Sequence, residues 1–316
     1  MQKDMKRAFA SVTQRMDRKW QEMTDSMDLM LSRFIDIKEC KSVCLALGPY
    51  RNLTTLTAAT LFLHPNCQVL NHGGGRIFGN PEVDFLSDYS EETFNRFIQF
   101  AIKISTKGKR GAYGGSITFS HAFDQEYPMR EAYRNSHTRI LKDNITCLFW
   151  KESLLTSNWI RKKDIDLGRI FSQDERLRFL FPIRNPLDCA ISNMKTGHVK
   201  ILENITSRSS EIEVTKAVLD EIHWCAELHD KYPDRFFYYF EHEIAKETLV
   251  RLAAFLRIPP DERWIRNALS VMKIKKPYRH KADLTAFYEE YVMRQFAEFP
   301  VLQQGLLLFT EKVPTV

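Results

Sequence analysis

Residues 43–56 read Val-Cys-Leu-Ala-Leu-Gly-Pro-Tyr-Arg-Asn-Leu-Thr-Thr-Leu, an apolar run followed by a polar turn and the start of a helix-forming stretch. The N-terminus of such a helix favours an anion, because its first backbone N–H groups are unpaired and the positive end of its dipole faces the turn. Arg51 adds a charge, and the hydroxyls of Thr54 and Thr55 add hydrogen-bond donors. The stretch predicts a phosphate-binding turn at residues 48–55, with an ordinary threonine-capped turn as the alternative.

Short apolar runs alternate with helical patterns along the rest of the chain. Such alternation predicts an α/β fold with three layers, in which helices flank a central, mainly parallel β-sheet, because parallel neighbours need helical crossovers. Ligands of such sheets bind beyond the carboxyl ends of the strands. The predicted strands are residues 42–47, 68–71, 146–150, 178–183 and 236–240, and the predicted helices are residues 54–63, 91–105, 153–162, 211–231 and 244–256.

Apolar residues recur in steps of three and four from Met5 to Phe34, which predicts one long amphipathic helix. The chain accordingly divides into an N-terminal helical segment, residues 1–40, and an α/β domain, residues 41–316. Two interpretations of the apolar stripe remain open. The helix lies across the main domain, or it forms the seam of a homodimer or a partner-binding surface.

The composition restricts the class of protein. A chain of 316 residues with 44% hydrophobic residues can bury a full core, and its net charge of +6 is compatible with an anionic ligand. A nucleic-acid partner is not expected, since no basic and aromatic repeat occurs. The six cysteines form no Cys-x-x-Cys pair, which favours buried free thiols, and the absence of a leader or a long apolar run predicts a cytoplasmic protein without a transmembrane segment.

A second motif, residues 179–192, reads Phe-Leu-Phe-Pro-Ile-Arg-Asn-Pro-Leu-Asp-Cys-Ala-Ile-Ser. Arg184 leaves the end of a predicted strand, Pro186 begins a helix, and Ser192 lies one to two turns along it. A guanidinium fork and a hydroxyl in this arrangement can hold one phosphate. A helix-capping cluster, in which Asp188 serves the first turn, is the alternative.

The first motif lacks the second glycine and the lysine of the ATP-binding loop Gly-x-x-x-x-Gly-Lys-Ser/Thr, which disfavours a standard kinase. Together the two motifs resemble those of the PAPS-dependent sulfotransferase family, in which a Lys or Arg followed by Ser-Gly-Thr-Thr binds the 5′-phosphosulfate. By that resemblance Arg51, Asn52, Leu53, Thr54 and Thr55 take the five places. Two of them depart from the family pattern, because asparagine replaces serine and leucine replaces glycine. An asparagine amide can still donate a hydrogen bond to the phosphate.

The resemblance, which runs over residues 42–256, implies a fold like that of P-loop nucleoside triphosphatases and the co-substrate PAPS (3′-phosphoadenosine 5′-phosphosulfate). Arg184 and Ser192 would then hold the 3′-phosphate. It also implies sulfuryl transfer, without a metal, to a hydroxyl or amine of a small-molecule, lipid or glycan acceptor. The basic residues 273–281 either close over the nucleotide or form a solvated loop.

Catalytic roles follow from the same resemblance. Arg51 would stabilise the bridging oxygen of the leaving group, and Lys151 takes the place of a family lysine that reaches the sulfate. His72 is the first candidate for the general base, since a neutral imidazole accepts a proton near pH 7 and the residue follows a predicted strand. Glu152 is the second candidate and His121 the third.

Other interpretations stay open. A kinase with an altered phosphate loop and a non-catalytic nucleotide-binding protein are the two alternative functions. The residues His223, Cys225, Glu227 and His229 lie on a predicted helix without a full ligand set on one face, so no metal site is expected. The glycine-rich residues 73–75 and 108–115 are expected to form solvated connections or mobile active-site loops rather than regular elements.

Overall fold

The computed structural model describes residues 23–108, 114–124, 128–272 and 278–311, and its centre is a six-stranded sheet. The strands follow the order β3-β2-β4-β1-β5-β6, in which β3 pairs antiparallel with β2 and all other pairs are parallel. This confirms the predicted mainly parallel sheet. The strands are β1 Ser42–Ala46, β2 Cys67–Asn71, β3 Gly115–Ser116, β4 Cys147–Lys151, β5 Leu177–Ile183 and β6 Phe236–Phe240.

The helices lie on both faces of this sheet. They are α1 (residues 23–32), α2 Thr54–Phe62, α3 Gly74–Ile77, α4 Glu91–Ser105, α5 Met129–Ser136, α6 Leu154–Lys162, α7 Leu167–Gln173, α8 Pro186–Thr196, α9 Glu211–Lys231, α10 Lys246–Phe255, α11 Glu262–Val271, α12 Ala282–Gln295 and α13 Pro300–Glu311. The five helices predicted from the sequence are confirmed to within two residues at each end. Short 3₁₀-helices connect several of the elements.

Successive residues of the central strands enter two separate hydrophobic cores. Val43 and Leu45 of β1 pack into the core shared with α4, α8, α9 and α12, whereas Cys44 and Ala46 pack into the core shared with α2, α5, α10 and α11. Side chains of a strand alternate between the two faces of the sheet, so a strand covered on both faces must be apolar at every position. The predicted three-layer architecture is therefore confirmed.

The described part of the N-terminal helix is attached by its polar side. Asp28 is fully buried and forms ion pairs with Arg76, at 3.1 Å, and with Lys107, while Asp25 lies 2.6 Å from Arg76. The apolar stripe points outward instead. Its exposed members are Met23, Met27, Met30 and Phe34. The part of the predicted helix before residue 23 lies outside the described residues, and the two interpretations of the stripe remain predictions.

The six cysteines are free and buried, as predicted. Each of them lies in or beside an element that packs in the core, and burial raises the pKa of the thiols of Cys40 and Cys189 to about 12. Among the described residues, no helix is both long and apolar enough to cross a membrane.

Candidate functional site

The loop between β1 and α2 lies at the centre of the sheet edge. Strand β1 lies between β4 and β5. The connection from β1 to β2 passes over β4 on one side, and the connection from β5 to β6 leads to the other side. At such a switch point neighbouring connections leave the sheet in different directions and open a crevice beyond the strand ends, which is where ligands of parallel α/β sheets bind.

The backbone of this loop is left-handed at three positions. Gly48 has φ 92°, Arg51 has φ 65° and Leu53 has φ 60°. Leu53 is the residue just before α2 and stands where the sulfotransferase pattern has glycine. The loop therefore keeps a conformation that suits glycine although a leucine occupies the place, and for a residue with a Cβ this costs about 1–2 kcal/mol.

We expect Leu53→Gly to be more stable than Leu53→Ala by about 1 kcal/mol, because both variants lose the same side chain and only glycine removes the left-handed strain. Leu56, inside α2, is the control position. There we expect the opposite order, with Leu56→Gly about 0.5–1 kcal/mol less stable than Leu56→Ala. Chemical denaturation of the four variants measures both differences, and the same order at both positions would contradict a strained loop.

Two neighbouring elements hold the loop in place. The side-chain amide of Asn52 donates to the carbonyl of Pro182, and its oxygen accepts from the backbone N–H of Arg184 at 2.8 Å. The carbonyl of Tyr50 accepts from Asn193 Nδ2 at 2.7 Å. Asn52, proposed from the sequence as a phosphate donor, thus fastens the loop to the end of β5. An asparagine at this place therefore has a structural role, because serine is too short to form both bonds.

The first turn of α2 faces the loop without a cap. Leu53 provides no side-chain hydrogen bond to the turn, and the first helical bond among the described residues runs from Thr57 N to Leu53 O at 2.9 Å. Thr54 is buried and Thr55 is half-buried at this end. Unpaired backbone N–H groups and the helix dipole make this end suited to an anion.

The two sequence motifs meet in space. Arg51 Nε donates to Ser192 Oγ at 2.9 Å, which joins the loop after β1 to α8 across 141 residues of sequence. Asn185, rather than Asp188, caps α8, since its side chain accepts from Leu187 N at 3.0 Å. Asp188 lies in the first turn of α8, so the motif also caps a helix, as the alternative interpretation has it.

Arg184 lies at the end of β5 among acidic groups. Its Nη2 is 3.5 Å from Asp188 Oδ2, and its Nε is 3.8 Å from Glu241 Oε2. Asp188 Oδ1 accepts from the backbone N–H of Tyr278 at 3.0 Å and from His280 Nε2 at 2.9 Å. Residues 278–281, the described part of the basic segment, thus pack beside Arg184. Residues 273–277 lie outside the described residues.

His72, Lys151 and Glu152 form a second cluster, one strand away from the loop. Asn71 and Lys151 are paired at the ends of β2 and β4, so the residues that follow them leave the sheet at the same level. His72 Nδ1 is 3.3 Å from Glu152 Oε1, and Lys151 Nζ is 3.2 Å from His72 Nε2. The three catalytic candidates from these two strands are therefore in direct contact.

The hydrogen bonds of this cluster fix the tautomer of His72. A carboxylate only accepts and an ammonium only donates, so Nδ1 carries the proton and Nε2 accepts from Lys151. Glu152 is buried, and its other oxygen accepts from Gly74 N at 2.7 Å. Burial lowers the pKa of Lys151 to about 8, with Arg51 acting in the same direction and Glu152 opposing.

Backbone strain is concentrated here as well. His72 has φ 60° and Ser153 has φ 44°, and the carbonyl of His72 accepts from Trp150 Nε1 at 2.8 Å. Left-handed conformations of non-glycine residues persist only where the surrounding structure enforces them, and they are frequent at functional sites. The orientation of His72 is thus held by the strand ends around it.

The glycine-rich runs pack against this cluster, which corrects the expectation that they form no regular element. Gly73 is the residue before α3, and Gly74 and Gly75 begin that helix. A Cβ at Gly74 would meet Phe78 and Glu152 at 2.9 and 3.0 Å. Gly115 begins β3, and a Cβ at Gly114 would lie 2.4 Å from Gly73 N. Close approach of two backbones therefore requires glycine here. Residues 109–113 lie outside the described part.

His198 is a site residue that the sequence analysis missed. It begins the short 3₁₀-helix His198–Ile201 after α8, and its ring lies 5.6 Å from that of Tyr50. Its pKa is lowered by burial first and then by the charges of Arg51, Lys151 and His72. His198 therefore belongs to the same cationic region, and no local pattern in the sequence indicated this.

The remaining candidates lie elsewhere. His121, the third candidate base, belongs to the 3₁₀-helix His121–Phe123 and is exposed. His223 contacts Glu227 at 3.6 Å and the rings of Phe296 and Phe299, while Cys225 is buried. These residues are part of the packing of α9.

No protein-family model and no curated protein matches the chain. Three solved sulfotransferase structures are similar to it. Mouse sulfotransferase SULT7A1 complexed with PAP covers 92% of this chain and 95% of its own, at 10% identity and a TM-score of 0.45. A sulfotransferase from Alicyclobacillus acidocaldarius covers 84% and 96%, at 12% identity and a TM-score of 0.43. Sulfotransferase STF9 from Mycobacterium avium covers 87% and 81%, at 12% identity and a TM-score of 0.43. At such identities these alignments assign no role to any residue of this chain.

Proposed function

We propose that this protein transfers the sulfuryl group of PAPS to a hydroxyl or amine of an acceptor and releases adenosine 3′,5′-bisphosphate. The observation that carries the proposal is the 2.9 Å contact between Arg51 Nε and Ser192 Oγ. The contact supports the proposal because it joins the loop after β1, proposed for the 5′-phosphosulfate, to α8, proposed for the 3′-phosphate. Two anion sites joined in this way match a nucleotide with phosphates at both ends.

The side chains near the loop supply what sulfuryl transfer demands. A hydroxyl oxygen of the acceptor attacks sulfur while the bond from sulfur to the bridging phosphate oxygen breaks, and the acceptor proton passes to His72 Nε2. Arg51, the N–H groups at the start of α2 and Lys151 stabilise the charge on the sulfuryl and leaving oxygens. Glu152 holds the imidazole by its Nδ1–H and stabilises the imidazolium that forms.

Lys151 occupies the proton-accepting nitrogen of His72 in this structure. For His72 to act as a base, Lys151 must turn from Nε2 towards the sulfuryl group, and the acceptor hydroxyl must take its place. A bound anion favours this exchange, because it attracts the ammonium of Lys151 and offsets the repulsion from Arg51. Binding of the donor would thus prepare the base.

The melting temperature tests the proposal most directly. Adenosine 3′,5′-bisphosphate at about 100 times its dissociation constant should stabilise the fold by about 2.7 kcal/mol, and ATP with Mg²⁺ should stabilise it less. The reverse order would favour the kinase with an altered loop. Mass spectrometry of a metabolite, lipid or glycan extract incubated with PAPS should then show products that gain one SO₃, and no sulfated product would favour a non-catalytic nucleotide-binding protein.

We expect Arg184→Ala to weaken binding of adenosine 3′,5′-bisphosphate by about 1.5–3 kcal/mol, because a charged hydrogen bond to the 3′-phosphate is lost. Isothermal titration with this ligand and with adenosine 5′-phosphate measures the effect. The 5′-phosphate should bind as before, whereas damage to the fold would weaken both ligands. Arg208→Ala, at an exposed position, is the control. Unchanged affinity of Arg184→Ala for the bisphosphate would contradict the assignment of the 3′-phosphate site.

A further inference from the structure

A buried carboxyl group lies beside Arg184. Glu241 begins the 3₁₀-helix Glu241–Glu243 after β6 and is 9% exposed. Its Oε2 is 3.8 Å from Arg184 Nε, and neither atom has a hydrogen-bond partner among the described residues although both are shielded from solvent. The backbone N–H of Asn185 donates to the same carboxyl group. The two atoms form an ion pair that is too long for a hydrogen bond, so each keeps an unused hydrogen-bond position that a further group beside the pair can fill.

The charges around Arg184 oppose the binding of a phosphate. One guanidinium faces two carboxylates, Glu241 and Asp188. His280, from the segment after α11, donates to Asp188, and its Nδ1 is likewise buried without a partner among the described residues. The thiol of Cys189, in electrostatic contact with these groups, is neutral because its pKa is raised to about 12. With Glu241 ionised, Glu241 and Asp188 offset the charges of Arg184 and the nearby Arg51, so little net positive charge remains for a phosphate dianion.

We propose that Glu241 is a donor-binding residue that takes up one proton when the second phosphate of the nucleotide binds at Arg184. The inference rests on the proposed function. A protonated carboxyl group is a hydrogen-bond donor, whereas a carboxylate can only accept. Arg184 Nε–H and Glu241 Oε2–H would then both donate to the phosphate. The proton comes from solvent, and no covalent bond other than the O–H bond of Glu241 forms or breaks.

The surroundings of Glu241 allow its carboxylate to take up a proton near neutral pH. Burial raises its pKa to about 6, Asp188 acts in the same direction, and Asn185 N–H and Arg184 oppose. A phosphate dianion close by raises the pKa further, because two like charges disfavour the ionised carboxyl group. Between the pKa of the free site and that of the complex, binding consumes one proton, so the dissociation constant rises about tenfold for each pH unit.

Titration calorimetry of the full chain in two buffers of different ionisation enthalpy tests the inference. At a pH of about 7.5 the phosphates of the ligand are dianions, since their second pKa is about 6. We expect adenosine 3′,5′-bisphosphate to bind with uptake of about one proton more than adenosine 5′-phosphate, which lacks the second phosphate. Titration of Lys151, whose pKa is about 8, affects both ligands and cancels in this comparison.

Two variants sharpen the result. Glu241→Gln removes the charge but keeps the shape and an N–H donor, so it should bind the bisphosphate without the extra proton and about tenfold or more tightly than the wild type near pH 8. Glu243→Gln is the control, because Glu243 is exposed on the same 3₁₀-helix and should leave the proton uptake unchanged. Equal proton uptake for the two ligands in the wild type overturns the inference alone. No binding of the bisphosphate at any pH overturns it together with the proposed function.

Discussion

Replacement of His72 by Gln is expected to lower the turnover number of sulfuryl transfer by about 10²–10⁴-fold, because the acceptor proton loses its base. The affinity for adenosine 3′,5′-bisphosphate should stay near that of the wild type, since His72 contacts Lys151 and Glu152 rather than the two anion sites. Steady-state kinetics with PAPS and calorimetry with the bisphosphate separate the two quantities.

Variants at the other candidate bases decide between the assignments. Glu152→Gln should lower the turnover number less than His72→Gln, because it removes a positioning contact and leaves Nε2 in place. A larger loss in Glu152→Gln, with His72→Gln still active, would make Glu152 the base. A loss confined to His121→Gln would assign the base to the exposed 3₁₀-helix. The exposed His137 serves as a control, since His137→Asn keeps a residue that tolerates its left-handed backbone.

Arg51→Ala is expected to lower the rate of sulfuryl transfer by about 10²–10³-fold even at saturating PAPS, because it removes the cation that we propose stabilises the charge on the leaving oxygen. Arg51→Lys should recover part of this rate, since it restores a charge but not the directed bond from Nε to Ser192. Single-turnover measurements report the chemical step without product release.

The control for this series is Arg169→Ala, an exposed arginine on α7 whose loss should leave the rate unchanged. A wild-type rate in Arg51→Ala would contradict the role of the loop in catalysis. A weaker affinity for PAPS with an unchanged rate at saturation would show that Arg51 binds the ground state and the transition state equally.

The sequence predicted the sheet well because its central strands are buried on both faces. Strands β1, β4 and β5 consist of unbroken runs of buried residues, which stand out against their polar surroundings. Strand β3, in contrast, is Gly115–Ser116 and carries no apolar pattern. It forms because its two residues pair with the end of β2, and such a contact depends on tertiary structure rather than on local preference.

The sequence predicted those residues of the candidate site whose positions are determined by the end of a strand. Arg51, His72 and Lys151 each follow or end a recognisable parallel strand, and the carboxyl ends of these strands meet at one edge. The bridge from Asn52 to β5 was not predictable, because it joins residues about 130 positions apart and no local pattern encodes it. The positions of Glu241 and His198 beside the two arginines have the same origin.

The strand order places the residues assigned to the nucleotide and those assigned to proton transfer on opposite sides of β1. The contacts assigned to the nucleotide come from the ends of β1, β5 and β6, whereas the base and its supporting carboxylate come from the ends of β2 and β4, on the other side of β1. If the protein acts as proposed, substitutions in α3 and residues 114–124 change the surroundings of the base and leave the contacts assigned to the nucleotide unchanged. On the proposed function, a scaffold divided in this way can change its acceptor through one side of β1 and keep its nucleotide contacts on the other side.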